Sequence, residues 1–153
     1  MKALIICKSI CHNNTIKVSE AISEVLNANI ITPDKFSKEM LKKYSVIGFG
    51  SGIFYMKHHK ELLELADSLP SDIKLKAFVF STSGWAQKKP IDVHASLREK
   101  LKSKGFEIIG EFYCKGYDTW SPLKLVGGIS KGHPDKKDLD HARKFAEKIK
   151  ESF

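Results

Sequence analysis

The sequence predicts an α/β protein: a doubly wound, three-layer fold with five parallel strands between two layers of helices. Three observations predict it. Short apolar runs without strict alternation recur along the chain, as suits strands buried on both faces. A segment with helical apolar spacing follows almost every run. Glycine, proline and small polar residues punctuate the joins. Such βα alternation calls for right-handed crossovers and helices on both sheet faces.

In order along the chain, Ala3–Cys7 is the first strand, and Ile16, Ala21, Ile22, Val25 and Leu26 mark the first helical face. Asn29–Ile31 is a weaker strand ended by Thr32-Pro33. Ser37–Tyr44 reads as a short helix and Val46–Phe49 as the third strand. Leu62, Leu63, Leu65, Ala66 and Leu69 form a helical face before Pro70. Leu75–Phe80 is the fourth strand, and residues 92–104 make a helix that stops at Gly105, a suitable C′ residue. Glu107–Tyr113 is the fifth strand. The last helix carries Leu139, Ala142, Phe145, Ala146 and Ile149 on one face and starts at Asp135, with Asp138 completing a capping-box pattern.

A chain of 153 residues, 42% hydrophobic and 29% charged, reads as one domain over 1–153 that needs neither disulfides nor metal to hold its core. Three cysteines without C-x-x-C make neither a disulfide framework nor a zinc site. With no bilayer-length apolar stretch and no cleavable leader pattern, a cytoplasmic protein is expected. The formal charge is +8, yet residues 1–76 hold 11 basic and 8 acidic side chains and residues 77–153 hold 15 and 10. No five like charges run together, so the surplus reads as dispersed surface lysine and not as a nucleic-acid or membrane footprint.

In an open parallel sheet, ligands bind outside the carboxyl ends of the strands, near the point where strand order reverses. Three polar loops stand there. The first, Ser9-Ile10-Cys11-His12-Asn13-Asn14-Thr15, offers backbone N–H groups at a helix N-terminus, which suits a phosphate. Its candidate ligands are Ser9, Cys11, His12, Asn13, Asn14 and Thr15. The second is glycine-rich, Gly48 to His59, with candidates Ser51, Gly52, Ile53, Phe54 and Tyr55; its glycines permit sharp turns and close approach, and its aromatic rings can stack. His58-His59 reads as exposed residues opening a helix, since adjacent helical side chains diverge. The third is Ser81-Thr82-Ser83-Gly84-Trp85. Together they suit a planar ligand that bears a phosphate. Cys11 and Cys114 read as bystander thiols. Trp120 is a flap over the ligand or a packing residue, in a long connector over 115–134.

Other chemistries on this architecture lack their residues. A receiver domain needs acids where Lys8, Ser9, Gly50 and Ser51 stand. A phosphatase C-x5-R loop fails because Asn13 and Lys17 lie six residues after Cys7 and Cys11. No G-x-x-x-x-G-K-[ST] loop occurs. Neither catalytic residues nor metal ligands are assigned.

Over nearly its whole length the chain resembles the flavodoxin family. The loop ending His12-Asn13-Asn14-Thr15 resembles that family's FMN-phosphate loop. Gly50–Tyr55 and Ser81–Trp85 match its two isoalloxazine loops in position and character. Gly127-Gly128-Ile129-Ser130-Lys131-Gly132-His133-Pro134 before Asp138-Leu139 resembles a subgroup of flavodoxin-like proteins. The resemblance implies strand order 2-1-3-4-5, non-covalent FMN with its phosphate on the amides of residues 12–15 and the side chains of Ser9, Asn14 and Thr15, and its ring against Phe54 or Tyr55 and Trp85. It implies a glycine peptide near Gly52 turned toward flavin N5–H, with Lys57 and Lys131 raising the potential. It further implies an electron carrier between redox partner proteins, acting as a monomer or weak dimer. The alternatives are an FMN-dependent NAD(P)H or quinone reductase and a flavin-free interaction domain on the same fold. The phosphate loop departs from the family's common T-G-N-T, being about one residue longer. The basic charge departs from acidic flavodoxins and predicts docking to an acidic redox partner.

Overall fold

The computed structural model describes residues 1–85, 92–119 and 123–153, without the side chains of 123 and 124. In chain order the elements are β1 (Ala3–Lys8), α1 (Asn14–Leu26), β2 (Asn29–Ile31), β3 (Val46–Phe54), β4 (Lys57–His58), α2 (Lys60–Ser68), β5 (Lys76–Ser83), α3 (Ala95–Ser103), β6 (Glu107–Lys115) and α4 (Lys136–Glu151). The sheet runs β2-β1-β3-β5-β6, all parallel. This is the predicted 2-1-3-4-5 order with one small strand, β4, added antiparallel to β3. The expected short helix over 37–44 is instead a 3-10 turn at Lys38–Lys42.

Strand alternation divides the core into two layers. Ala3, Ile5 and Cys7 of β1, Val46 of β3 and Phe78 and Phe80 of β5 pack under α1 and α4, against Val18, Ile22, Ala142, Ala146 and Ile149. Leu4, Ile6, Ile47, Phe49, Ala77 and Val79 face the other way, onto Leu62 and Ala66 of α2 and Leu97 and Leu101 of α3. The apolar runs lack period-two alternation because both faces of every central strand are covered.

The predicted ends of α3 and α4 are built as their sequences suggest. Gly105, at φ 97°, follows α3, and the Phe106 and Gly105 N–H groups return to the Leu101 and Lys102 carbonyls. That is the six-to-one and five-to-two bonding of a Schellman motif. At α4 the Asp135 carboxylate accepts the Asp138 N–H, and the Asp138 carboxylate accepts the Asp135 N–H.

Two glycines have a different purpose from the expected one. Gly48 and Gly50 do not turn the chain; they lie within β3, opposite Phe78 and Phe80 of β5. An added Cβ would lie 2.3 Å from Phe78 Cζ at position 48 and 2.1 Å from Phe80 Cζ at position 50. The two rings lie over the glycine backbone, so β3 passes beneath them with no side chain at positions 48 and 50.

Candidate functional site

The β1–α1 loop leaves β1 at Lys8 and enters α1 through two left-handed residues, His12 (φ 48°) and Asn13 (φ 56°). Asparagine tolerates that conformation better than most residues. As N-cap, Asn13 makes no side-chain capping bond. Instead Ser9 Oγ accepts the Ile16 N–H at 3.3 Å. Among the described residues, the N–H groups of Ile10, Cys11, His12 and Asn13 find no acceptor within the protein, while the Asn14 N–H is taken by the Cys11 carbonyl at 3.0 Å. No acidic residue stands in the first turn of α1. Four consecutive open donors at the positive end of a 13-residue helix suit an anion.

The side chains of Asn14 and Thr15 are committed elsewhere. Both are buried, at 4% and 1% exposure. Asn14 Nδ2 donates to the Tyr117 carbonyl at 2.8 Å, and Thr15 Oγ1 lies 2.8 Å from Thr82 Oγ1 at the end of β5. Asn14 Oδ1 is buried without a donor. His12 Nε2 lies 2.8 Å from Thr119 Oγ1, and its ring centroid is 4.3 Å from that of Tyr117. The loop is thereby tied to β5 and to the connector after β6. That connector is held in its own right by an Asp118–Ile129 bridge and by the Tyr117 N–H bond to the His133 carbonyl. Trp120, read as a flap or a packing residue, lies outside the described residues.

The second loop is mostly strand. β3 continues through Ser51, Gly52, Ile53 and Phe54, then turns back at Tyr55 (φ 49°) and Met56 (φ 64°) into β4. Two positive-φ residues between paired strands make a type I′ hairpin, whose usual sequence is Asn-Gly or Asp-Gly. Bulky residues here store local strain. The turn displays Tyr55 at 86% exposure, whereas Phe54 packs edge-on against His59 with centroids 5.4 Å apart. The Gly52 carbonyl, expected to face a ligand, accepts the Ser51 hydroxyl at 2.7 Å.

At the end of β5, Ser81 and Thr82 are buried, Ser83 is half-buried and Trp85 is exposed. Gly84 is required by its neighbours: a Cβ would lie 2.5 Å from Asp118 Cβ and 2.8 Å from Ile129 Cδ1. Ser130 Oγ donates to the Gly84 carbonyl at 2.7 Å, so the connector also fixes this loop. Three loops and the connector thus meet at the carboxyl end of the sheet. Exposed Ile10, Tyr55, Met56 and Trp85 stand on those loops.

Beneath the second and third loops lies a polar cluster that sequence reasoning missed. His58, expected to be exposed, is 2% exposed on β4, and its Nδ1 lies 2.8 Å from Ser51 Oγ. His59 does open α2, its Nδ1 accepting the Glu61 N–H at 3.1 Å. His94, before α3, lies with its Nε2 2.7 Å from Ser81 Oγ and its Nδ1 2.9 Å from Glu111 Oε2. Arg98 clamps Glu111 and Asp92. Ser81–His94–Glu111 has the order of a hydrolase triad, but Ser81 is fully buried and offers its oxygen to no substrate. The cluster instead anchors both loops from below. Burial depresses the pKa of both histidines, for His58 with help from His94 and for His94 against the pull of Glu111.

These depressed values have a sign for stability. The unfolded chain takes up protons near the ordinary histidine pKa while the folded one does not, so stability is present above that pKa and is lost as pH falls through it. Urea midpoints at pH 7.5 and 5.5 should show lower stability at 5.5, with a limiting slope of about 1.4 kcal/mol per pH unit for each histidine. Equal midpoints would contradict the assignment of both rings as neutral.

All three cysteines hold their thiol protons more firmly than a free cysteine does. Burial pushes the Cys7 thiol up to about 11 and Cys114 up to about 12. Cys11, despite its place near a helix N-terminus, is also raised, by partial burial and by Asp118. His133, Asp135 and Asp138 place ligand atoms within 4.8 Å of one another, but both carboxylates serve the α4 capping box and His133 Nδ1 bonds Asp138. Among the described residues, no helix is long and apolar enough to cross a membrane.

Comparison with known proteins agrees with this geometry. Residues 5–140 match the flavodoxin domain family. The chain is 50% identical over 149 residues to an uncharacterized protein of Methanocaldococcus jannaschii, an alignment covering 97% of this chain and 98% of that one. Its fold is similar to flavodoxin 2 of Bacillus cereus (TM-score 0.73, 18% identity, all of both chains) and to a flavodoxin from the domain Archaea (TM-score 0.66, 19% identity, 99% of this chain and 98% of that one). It is also similar to rubredoxin oxygen:oxidoreductase of Desulfovibrio gigas (TM-score 0.70, 14% identity), covering 99% of this chain and 35% of that one. Strand order, loop placement and the match over most of the sequence lead to one conclusion: this chain belongs to the flavodoxin family.

Proposed function

We propose that the protein binds FMN non-covalently and carries electrons between redox partners. The observation that supports this most is the β1–α1 loop, with four adjacent N–H groups that find no acceptor among the described residues, no acid in the helix's first turn, and Ser9 beside it. A 5′-phosphate fits that donor set. Of the amides of residues 12–15 first expected to hold it, those of His12 and Asn13 find no acceptor among the described residues, and that of Asn14 is taken by the Cys11 carbonyl. Asn14 and Thr15 then act by holding the loop in shape through Tyr117 and Thr82. The ring would lie between the β3–β4 hairpin and the end of β5, near Tyr55 and Trp85. When bound, FMN supplies the electron chemistry; the chain supplies binding, placement and local charge. Titrating the purified protein with FMN should give saturable binding at one equivalent with a perturbed flavin spectrum, and NAD(P)H oxidation should stay near background without a reductase. A protein that takes up no FMN would refute the reading.

The partner surface follows from the same end of the molecule. Ile10, Tyr55, Met56 and Trp85 supply exposed apolar contact, and Lys57 and Lys131 add positive charge. An acidic redox protein fits this rim. Its electron-transfer rate with this carrier should fall severalfold between roughly 0.05 and 0.5 M salt, measured by stopped-flow. A salt-independent rate would rule out charge-guided docking.

A further inference from the structure

The hydrogen bonds of Ser51 determine where the proton of His58 sits. Ser51 Oγ has three partners: the Gly52 carbonyl at 2.7 Å, the His59 N–H at 2.9 Å and His58 Nδ1 at 2.8 Å. A hydroxyl offers one hydrogen and two lone pairs. The carbonyl has no hydrogen, so it receives the Ser51 proton. The His59 N–H fills one lone pair, and the second accepts Nδ1–H of His58. Neutral His58 is therefore protonated at Nδ1, and its Nε2 carries a bare lone pair. That atom is buried and makes no hydrogen bond among the described residues. An unpaired buried acceptor is costly and rare in native proteins.

We propose that His58 Nε2 is a buried proton-accepting site coupled to the redox state of the bound flavin. The inference rests on the FMN reading given above. His58 ends the hairpin on one side of the ring site, and its imidazole lies 5.1 Å, centroid to centroid, from His94, which is bonded to Ser81 on the other side. Several charged or titratable groups bear on it. Residues 46–54 of β3 contribute none. His94, Arg98 and Asp92 come from α3 and its approach, and Glu111 comes from β6. Lys57 and His59 flank it in sequence, and the Lys8–Glu61 pair lies beside His59. Burial and His94 keep the imidazole neutral while the site carries no added negative charge. Electrons on the ring supply that charge and reverse the balance.

The step conserves charge and atoms. A chemical reductant such as dithionite delivers two electrons to the ring, which takes one proton and retains one net negative charge. A second proton from solvent forms the new N–H bond at His58 Nε2, and no bond of the protein is broken. Glu111, with a 30% exposed side chain, bonds His94, whose ring is the neighbour of the His58 imidazole.

Two measurements test this. Asparagine at position 58 keeps a side-chain donor for Ser51 and lacks Nε2. Between pH 5 and 6.5 the wild-type two-electron potential should be steeper than that of His58→Asn by one proton, a tenfold change in equilibrium constant per pH unit, or about 30 mV. Imidazole nitrogen NMR of wild-type holoprotein should show one N–H on His58 when oxidised and two when fully reduced at pH 5.5. Equal slopes, or a His58 that stays singly protonated on reduction, would overturn the proposal. If the variant fails to fold, the wild-type spectrum decides alone. Absence of flavin uptake would defeat both the carrier reading and this site; a flavin-loaded protein without the proton would defeat this site only.

Discussion

Gly50→Ala should destabilise the protein by about 3 kcal/mol, the upper part of the range for overpacking a close-packed core. The alanine Cβ would sit 2.1, 2.2 and 2.5 Å from Phe80 Cζ, Cε2 and Cε1. Phe80 is fully buried and cannot swing toward solvent, and its ring lies 6.1 Å from that of Phe78, which in turn packs against Phe145 of α4. Either β3 separates from β5 or the whole aromatic row shifts toward α4. The second route gives the control. In a Phe80→Leu background the aromatic ring over Gly50 is gone, so adding Gly50→Ala there should cost under about 1 kcal/mol. Phe80→Leu alone leaves a partial void and carries its own penalty. Denaturant midpoints of the four proteins complete the cycle. A cost for Gly50→Ala that is the same in both backgrounds would refute the packing account.

Asn13→Asp should separate folding from binding. Aspartate is a good N-cap, tolerates the left-handed conformation and places negative charge at the positive end of α1, so stability should hold or rise by up to about 1 kcal/mol. The same charge would adjoin the open N–H groups of residues 10–13. Repulsion of a phosphate dianion at a few ångströms, in an effective dielectric near 20, should weaken FMN binding on the order of 30-fold or more. Riboflavin, which lacks the phosphate, should bind both proteins within about twofold. Equal losses for FMN and riboflavin would move the phosphate away from this loop.

The strands and helical faces were legible because burial on both sheet faces leaves long apolar runs, and because Gly105 and Asp135 are local signals that act locally. β4 was not legible. Its turn uses Tyr55-Met56 where the hairpin code calls for Asn-Gly, and Ile53 through His58 carry no break that distinguishes a hairpin from a helix start. The burial of His58 depends on that hairpin and was hidden with it. Gly48 and Gly50 read as turn residues because their purpose lies 30 residues away in the register of β3 against Phe78 and Phe80. That Ser51, Ser81, Asn14 and Thr15 stand at the carboxyl end of the sheet was readable from the strand ends. That their side chains point inward, to histidines, Tyr117 and Thr82, depends on tertiary partners.

Three of the bonds that hold the β1–α1 loop join residues far apart in sequence. Thr15 meets Thr82 across 67 positions, Asn14 meets Tyr117 across 103, and His12 meets Thr119 across 107. Such contacts carry large loop-closure entropy and form only after the intervening chain has ordered. In a refolding experiment the binding loop should therefore mature late, after β1, β3 and β5 have docked and the connector has closed over Asn14. A nascent chain emerging residue by residue would carry the β1–α1 loop for most of its synthesis without the distant contacts that hold it. On the proposed reading, FMN capture during refolding should report completion of the whole sheet, and FMN added then should speed the final locking step and leave the early collapse unchanged.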